Sequence, residues 1–298
     1  MKGISFGFRF PGSEKHLRDL GVGWVREAVL WQSVQPDAKN WTWRDFDSLM
    51  TCLARIKAAT GCKVLLTLRA KSAWASRTVA GAMTSATRPP LNMIQYTDFL
   101  QRVAARAGER VDLWQIENEC DYTGFWAGTA LDYLSLFATA RTVLPKLCLC
   151  GWSTRPTEEA AKVVAGHIAR VTRVKMVAFI EAVMLGATYD AADAHCYAPY
   201  PADVAGQLAW VRARMKPGTM LFASELGWED QAWTHTQAQQ AEDLSARVTA
   251  AATIADVPMW FLLRDVGSNG VPRNAQHNGL LTSGGQRKAA FESLRSLT

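Results

Sequence analysis

The sequence predicts an α/β fold, a (β/α)8 TIM barrel formed by a single domain over residues 1–298. Eight short apolar runs alternate with longer segments of helical periodicity. The runs are too apolar to face water on either side, which is typical of a parallel sheet covered by helices. The length of 298 residues suits one such barrel, which typically takes about 250 residues.

The predicted strands are apolar runs bounded by turn or helix signals. They lie near residues 3–9, 22–27, 63–69, 111–119, 147–152, 191–197, 219–225 and 258–264. Gly7, near the end of the first run, and Gly12, just after it, have a spacing that does not fit a dinucleotide-binding loop. An open doubly wound sheet is therefore disfavoured, and we expect the strands to close into a barrel.

Capping residues mark the predicted helix starts. Capping pairs stand at Thr42 with Asp45, Asn92 with Gln95, Thr129 with Asp132, and Thr236 with Gln239. Gly61 ends the first of these helices, and residues 285–297 form a terminal helix. Residues 157–186 are too many for one ordinary helix, so we expect two helices, or one helix and an irregular segment.

Composition excludes several classes of protein. Hydrophobic residues at 49% and charged residues at 20% are typical of an ordered globular domain. The net charge of +6 comes from scattered Lys and Arg, and no basic run is interleaved with aromatic residues, so we expect no nucleic-acid partner. No run approaches the roughly 20 apolar residues of a membrane span.

The chain begins with Met1 and Lys2 followed at once by a predicted strand, without a signal peptide. This predicts a cytoplasmic protein for the chain as given, although a trimmed secreted protein would look the same. The six cysteines lack CxxC pairs and mostly fall in or beside predicted strands. We expect buried, reduced thiols rather than disulfides or a metal site.

Two predicted strands end in carboxylates. The fourth strand ends in Asn118 and Glu119, and the seventh ends in Glu225. The active sites of barrel enzymes lie at the carboxyl ends of the strands, and a pair of carboxyls there is what cleavage of a glycosidic bond requires. Glu117 has the same strand parity as Glu119 and is the rival acid, but it lies one layer deeper.

Other predicted strand ends supply groups suited to sugars, which need hydrogen-bond partners for hydroxyls and flat faces for pyranose rings. Polar candidates are Arg26, His195 and Tyr197, and the tryptophans near the same rim are Trp126, Trp152, Trp228, Trp233 and Trp260. Of these, we assign Trp126, Trp228 and Trp260 to substrate binding. Arg26, Arg69 and Arg264 would make the rim positive enough to admit an acidic sugar.

Taken together, the segments resemble those of the clan A glycoside hydrolases, (β/α)8 retaining β-glycosidases that include cellulase- and β-xylosidase-like families. The matching segments are Val25-Arg26, Trp114 to Glu119, His195-Cys196-Tyr197, Ser224 to Gly227 and a strand eight that contains Trp. Cys120 follows Glu119 where many members have Pro, which changes the loop without changing the roles of the glutamates.

The resemblance implies a retaining glycosidase with Glu119 as general acid/base and Glu225 as nucleophile. It implies that Asn118 contacts the sugar 2-hydroxyl and that Arg26 and Tyr197 hold the Glu225 carboxylate. His195 and Trp260 would line the site. The partner would be a carbohydrate substrate, with no cofactor and no metal; no feature of the sequence indicates the oligomeric state.

Two other classes remain open. Glu119, Asp193, His195 and Glu225 could ligate a divalent metal, as in a metal-dependent sugar isomerase or hydrolase. The chain has only five histidines and no closely set pair of them, which disfavours this reading. A non-catalytic sugar-binding barrel is the other alternative, disfavoured by the presence of both glutamates.

Overall fold

The protein was analysed as a computed structural model that describes residues 1–153, 166–198, 200–227, 236–266 and 277–297, with no side chains described for 166–175. Eight parallel strands pair in sequence order, and β1 pairs with β8 to close the barrel. The strands are β1 Gly3–Ser5, β2 Trp24–Leu30, β3 Lys63–Arg69, β4 Leu113–Ile116, β5 Leu147–Trp152, β6 Ala191–Cys196, β7 Met220–Leu226 and β8 Val257–Phe261. The predicted (β/α)8 barrel is confirmed.

Helices surround the barrel. Those of the described residues are α1 Ser13–Leu20, α2 Trp31–Val34, α3 Arg44–Thr60, α4 Met93–Ala107, α5 Ala130–Arg141, α6 Gly166–Gly186, α7 Pro201–Arg212, α8 Gln237–Ala252 and α9 Ala289–Ser296. Within 157–186 the structure has one helix, α6, and residues 157–165 lie outside the described part of the chain. The terminal helix begins at Ala289, four residues later than predicted, because Gly285 adopts a left-handed turn with φ 85°.

The predicted capping pairs are confirmed at two helices, form only through the N-cap residue at α4, and are wrong at α3. Capping boxes open α5 at Thr129 and α8 at Thr236, and the Asn92 side chain caps α4. The predicted box at Thr42 does not form. Trp43 is the N-cap residue of α3, and it makes no side-chain cap. The backbone N–H of Thr42 instead donates to the carbonyl of Val34, which keeps Thr42 in the preceding loop.

The barrel interior is divided into an apolar floor and a polar layer above it. We call floor the eight buried side chains of Trp24, Leu65, Leu113, Cys148, Ala191, Phe222, Val257 and Met259. The layer above consists of fully buried polar side chains, namely Ser5, Arg26, Thr67, Gln115, Asp193 and Ser224. Because a buried polar group must be hydrogen-bonded to be tolerated, this layer forms a fixed platform for the groups at the carboxyl ends of the strands.

All six cysteines are buried and free, which confirms the prediction of reduced thiols. Among the described residues, no helix is both long enough and apolar enough to cross a membrane.

Candidate active site

The carboxylate of Glu225 is held at both oxygens. Arg26 donates from Nη1 to Oε1 at 2.7 Å, and the Tyr197 hydroxyl donates to Oε2 at 2.9 Å. Burial alone would raise the pKa of Glu225, but the charges of His195 and Arg26, followed by the hydrogen bonds, outweigh it and lower the pKa below its ordinary value. Glu225 is therefore ionised at neutral pH.

Arg26 connects Glu225 to the neighbouring strands. Its guanidinium is fully buried and donates to Gln115 Oε1 at 2.9 Å, to Thr67 Oγ1 at 3.2 Å and to Asn118 Oδ1 at 2.6 Å. Since the amide oxygen of Asn118 accepts from Arg26, the amide NH2 remains as its donor. The structure thus brings Arg26, Asn118, Tyr197 and Glu225 together, and Arg26 and Tyr197 contact the Glu225 carboxylate as the resemblance implies.

Glu119 lies just beyond β4 in an uncommon backbone conformation. Glu117 and Glu119 have φ of 66° and 48°, a left-handed region that costs non-glycine residues about 1–3 kcal/mol each. The backbone N–H of Glu119 donates to the carbonyl of Gly151 at 3.0 Å, which ties the turn to β5. The turn directs the Glu119 carboxyl over the polar layer.

Burial is the main cause that raises the pKa of Glu119, and the charges of Glu225 and Asp121 raise it further. The hydrogen bond from His195 opposes this rise without cancelling it. One carboxyl oxygen of Glu119 and one of Glu225 lie within 4.8 Å of each other. The site therefore contains two close carboxyls, one that favours its proton and one that has lost it.

Glu117, the rival acid, points elsewhere. Its side chain is fully buried, accepts the backbone N–H of Ala70, and lies 3.7 Å from Nε of Arg69. The side chain of Glu119 retains 12% exposure. Glu117 thus braces the segment after β3, while Glu119 is the accessible carboxyl of the two.

His195 links the two halves of the site. An irregularity in the β6–β7 pairing places it opposite Glu225. Its Nδ1 lies 2.6 Å from Glu119 Oε1, and its Nε2 lies 3.5 Å from both Asp193 Oδ2 and Glu225 Oε1. Burial would lower the pKa of His195, but the surrounding carboxylates raise it to about 10. The imidazole is therefore a cation at neutral pH.

Gly151 on β5 makes room for this imidazole. A Cβ atom at this position would lie 2.0 Å from Nε2 of His195, closer than non-bonded atoms approach. Sequence analysis did not single out Gly151. Its signal is only a glycine inside an apolar strand, which indicates a close approach of another group without naming that group.

The inner cluster of charges balances when one carboxyl is protonated. It contains four carboxyls, those of Glu117, Glu119, Asp193 and Glu225, against three cations, those of Arg26, Arg69 and His195. Arg26 and Arg69 are thus engaged by carboxylates of the protein, and Arg264 stacks on Phe10. The expectation of an acidic sugar loses its basis for Arg26 and Arg69 and stays a prediction for Arg264.

The predicted tryptophan contacts need correction. Trp126 is 2% exposed and packs against Tyr133, and Trp260 is fully buried and donates from its indole to the carbonyl of Asn278. Neither offers a ring face to a substrate, so both are reassigned to packing. Trp152 is buried as well. Trp228 and Trp233 lie outside the described residues.

The aromatic side chain that β8 does present to the site is Phe261, which sequence analysis missed. Phe261 is partly exposed and packs edge-on against Tyr197, with ring centroids 6.3 Å apart, and against Phe6 at 5.8 Å. Met259 belongs to the floor, and alternation along the strand turns Phe261 inward and Trp260 outward. An aromatic wall therefore flanks the Glu225 carboxylate.

Glu119, His195 and Glu225 have donor atoms close enough together to suggest a metal site. The donor set does not fit a divalent cation. Nδ1 of His195 is engaged by Glu119, Oε1 of Glu225 is engaged by Arg26, and the pKa of about 10 keeps both imidazole nitrogens protonated. A metal would have to displace a proton and lie beside a buried guanidinium.

Comparison with known proteins reveals likeness in structure. No family model and no curated protein matches the sequence. A family 39 glycoside hydrolase from the gut symbiont Bacteroides cellulosilyticus superposes with a TM-score of 0.65 at 16% identity, over 99% of this chain and 62% of that chain. A GH5_18 structure from Bifidobacterium longum subsp. longum, in complex with Manβ1-4GlcNAc, gives 0.70 at 11% identity, over 99% and 76%.

A psychrophilic glycoside hydrolase family 10 endo-β-1,4-xylanase superposes with a TM-score of 0.68 at 13% identity, over 99% of this chain and 96% of that chain. This chain shares its (β/α)8 barrel with these glycoside hydrolases. This chain spans about three fifths of the length of the family 39 structure and nearly all of the xylanase. At these identities the likeness to clan A concerns the barrel alone.

Proposed function

We propose that the protein is a retaining glycoside hydrolase that cleaves a β-glycosidic bond, with Glu225 as nucleophile and Glu119 as general acid/base. The observation behind this proposal is the pair of carboxyl oxygens within 4.8 Å, one on a carboxyl with a raised pKa and one on a carboxylate with a lowered pKa. Retaining enzymes place these groups about 5 to 5.5 Å apart, whereas inverting enzymes need about 6.5 to 9.5 Å for a water molecule.

The side chains are suited to a double displacement. In the first step Glu225 attacks the anomeric carbon while Glu119 gives its proton to the glycosidic oxygen, and the bond to the leaving sugar breaks. In the second step Glu119 takes a proton from water, which attacks the same carbon and releases Glu225. Arg26 and Tyr197 hold the Glu225 carboxylate for attack. The amide NH2 of Asn118, which donates to no group in the described residues, is available to the 2-hydroxyl.

The similar structures suggest which substrates to test. One is described as a complex with Manβ1-4GlcNAc and another as an endo-β-1,4-xylanase. Nitrophenyl β-mannosides and β-xylosides, followed by β-1,4-linked polysaccharides, are therefore the first compounds to test. The aromatic wall of Phe6 and Phe261 beside Glu225 is compatible with a flat sugar ring.

The deciding experiment compares the wild type with Glu225→Ala on these substrates, with and without a chelator. We expect turnover by the wild type that the chelator does not change, and a loss of several orders of magnitude in the variant, with the fold retained by circular dichroism. Full activity of Glu225→Ala would end the assignment. Chelator-sensitive turnover would favour a metal-dependent enzyme, and sugar binding without turnover would favour a binding protein.

Glu119→Ala tests the acid role. Removing a general acid costs about 10²–10⁴-fold on leaving groups that need protonation, so we expect such a loss on alkyl glycosides and a much smaller one on dinitrophenyl glycosides. Glu117→Gln is the matched control, since it removes a neighbouring carboxylate that faces Arg69. If the loss of activity depended on the leaving group in Glu117→Gln and not in Glu119→Ala, the general acid would be Glu117.

A further inference from the structure

Asp193 is a buried carboxylate that the proposed reaction does not use. It lies in the polar layer on β6, two residues before His195, and is fully buried. Its Oδ1 accepts the backbone N–H of Ser224 at 2.8 Å, and its Oδ2 accepts from Gln115 Nε2 at 2.6 Å and from the Ser224 hydroxyl. Burial alone would raise the pKa of Asp193, but His195, followed by the charge of Arg26 and the Ser224 hydroxyl, lowers it to about 2.

The imidazole of His195 lies between Asp193 and Glu119. Nε2 faces Oδ2 of Asp193 at 3.5 Å, and Nδ1 faces Oε1 of Glu119 at 2.6 Å. In the described part of the chain, the charged groups around the ring are Asp193 on its own strand, Glu225 on β7, Glu119 after β4, and Arg26 on β2, which binds the same oxygen of Glu225 that Nε2 faces. On β5 the residue next to the ring is Gly151. Both ring nitrogens therefore face carboxyl oxygens.

Of the two carboxylates near Nε2, only Asp193 keeps its charge through the proposed reaction. Glu225 becomes an ester in the glycosyl-enzyme, so its negative charge is lost between the two steps. Asp193 forms no bond with the substrate and remains ionised. It is thus the group that retains the proton on Nε2 in the second step.

We propose that Asp193 is a positioning residue for Glu119, acting through His195 by holding a proton on Nε2 and directing Nδ1 to Oε1. This inference rests on the proposed function. With Oε1 engaged by His195, Oε2 of Glu119 gives the proton to the leaving oxygen in the first step and takes one from water in the second. His195 keeps both of its protons, and in the second step its charge favours the ionised form of Glu119, which is the form that can accept a proton from water.

Nuclear magnetic resonance of ¹⁵N-histidine tests the first part without reference to activity. The chain has five histidines, and the spectrum of His195→Gln identifies the signal of His195. We expect both ring nitrogens of His195 to be protonated in the wild type at pH 7. In Asp193→Asn we expect the titration midpoint of His195 to fall by at least about one pH unit, because an opposite charge a few ångströms from the imidazole is lost.

Ser5→Ala is the matched control, because it removes a buried hydrogen bond of the same layer, to the carbonyl of Ser224, without touching His195. Its His195 midpoint should equal that of the wild type. An unchanged midpoint in Asp193→Asn would overturn the proposal. If that variant does not fold, the wild type decides, since a neutral His195 at pH 7 would overturn the proposal equally.

Azide rescue tests the second part. Azide is an anion that the Glu119 carboxylate repels, so the test compares Asp193→Asn with and without that carboxylate. On a dinitrophenyl glycoside we expect Asp193→Asn to lose at least about tenfold in kcat. In a Glu119→Ala background, with azide as the nucleophile, no carboxyl is left to position, and we expect Asp193→Asn to change kcat little. A loss of the same size in both backgrounds would overturn the positioning role. Absence of turnover in the wild type would overturn the proposed function, and the histidine titration would still decide whether Asp193 controls His195.

Discussion

Substitution of Gly151 by alanine tests the packing on which the acid/base group depends. A Cβ at residue 151 would lie 2.0 Å from Nε2 of His195, and non-bonded carbon contacts below 3.0 Å are essentially never seen. The imidazole must therefore move by at least about 1 Å. The Nδ1 to Oε1 distance of 2.6 Å does not survive such a displacement, and hydrogen bonds to charged groups contribute about 1.5–3 kcal/mol.

This range corresponds to a decrease of about 10- to 150-fold in kcat/KM on alkyl glycosides, whose leaving group needs the proton of Glu119. The assay compares alkyl and dinitrophenyl glycosides, and we expect a smaller loss on the latter. Gly284→Ala is the control, because within the described residues its Cβ would meet only Thr282 Oγ1, at an ordinary contact distance of 3.7 Å. Wild-type kinetics in a folded Gly151→Ala protein would refute the proposed role of the His195 contact.

Two predictions concern stability. Burial, the largest effect, raises the pKa of Glu27 to about 7 against an ordinary 4.5. The contribution of the protonated Glu27 carboxyl to the free energy of unfolding is therefore complete below pH 4.5 and is lost as pH rises to 7. In denaturant titrations at pH 8, the free energy of unfolding of Glu27→Gln should therefore exceed that of the wild type by up to about 3 kcal/mol. At pH 4 we expect no such gain, and an equal difference at both pH values would contradict this. Thr129→Ala removes a capping box and should cost about 1 kcal/mol, whereas Thr42→Ala should cost nothing in the same thermal melts; equal melting temperatures for the two variants would argue against the capping assignment.

The architecture could be predicted because the signals for it are local. Each predicted strand packs on both faces, so it is apolar at nearly every position. Such a run can be predicted as a strand without knowing which strands pair with it. Thr129 with Asp132 and Thr236 with Gln239 satisfy each other across one turn, and those boxes form. The box at Thr42 failed because a contact distant in sequence, to Val34, decides the conformation there.

The site could be predicted only where strand ends expose charged groups. Glu119 and Glu225 end their runs and are visible in the sequence. Trp260 and Phe261 are adjacent aromatic residues, and which one faces inward depends on the register of β8, since a slip of one residue exchanges the faces. The strand pairings β6–β7 and β7–β8 are irregular at Asp193 to His195 and at Ala223 to Leu226, where counting along the chain loses the register.

The floor of eight apolar side chains bears on the fate of the glycosyl-enzyme. These side chains are buried and close the amino end of the barrel. Substrate, water and product therefore reach or leave Glu225 through the opening at the carboxyl ends of the strands. In a double displacement the departing sugar and the arriving water would use that one passage in opposite directions. A leaving sugar that dissociates slowly from this opening excludes water. Its hydroxyl group can then attack the anomeric carbon in place of water. Access through a single mouth therefore couples the rate of product escape to the balance between hydrolysis and the synthesis of new glycosidic bonds.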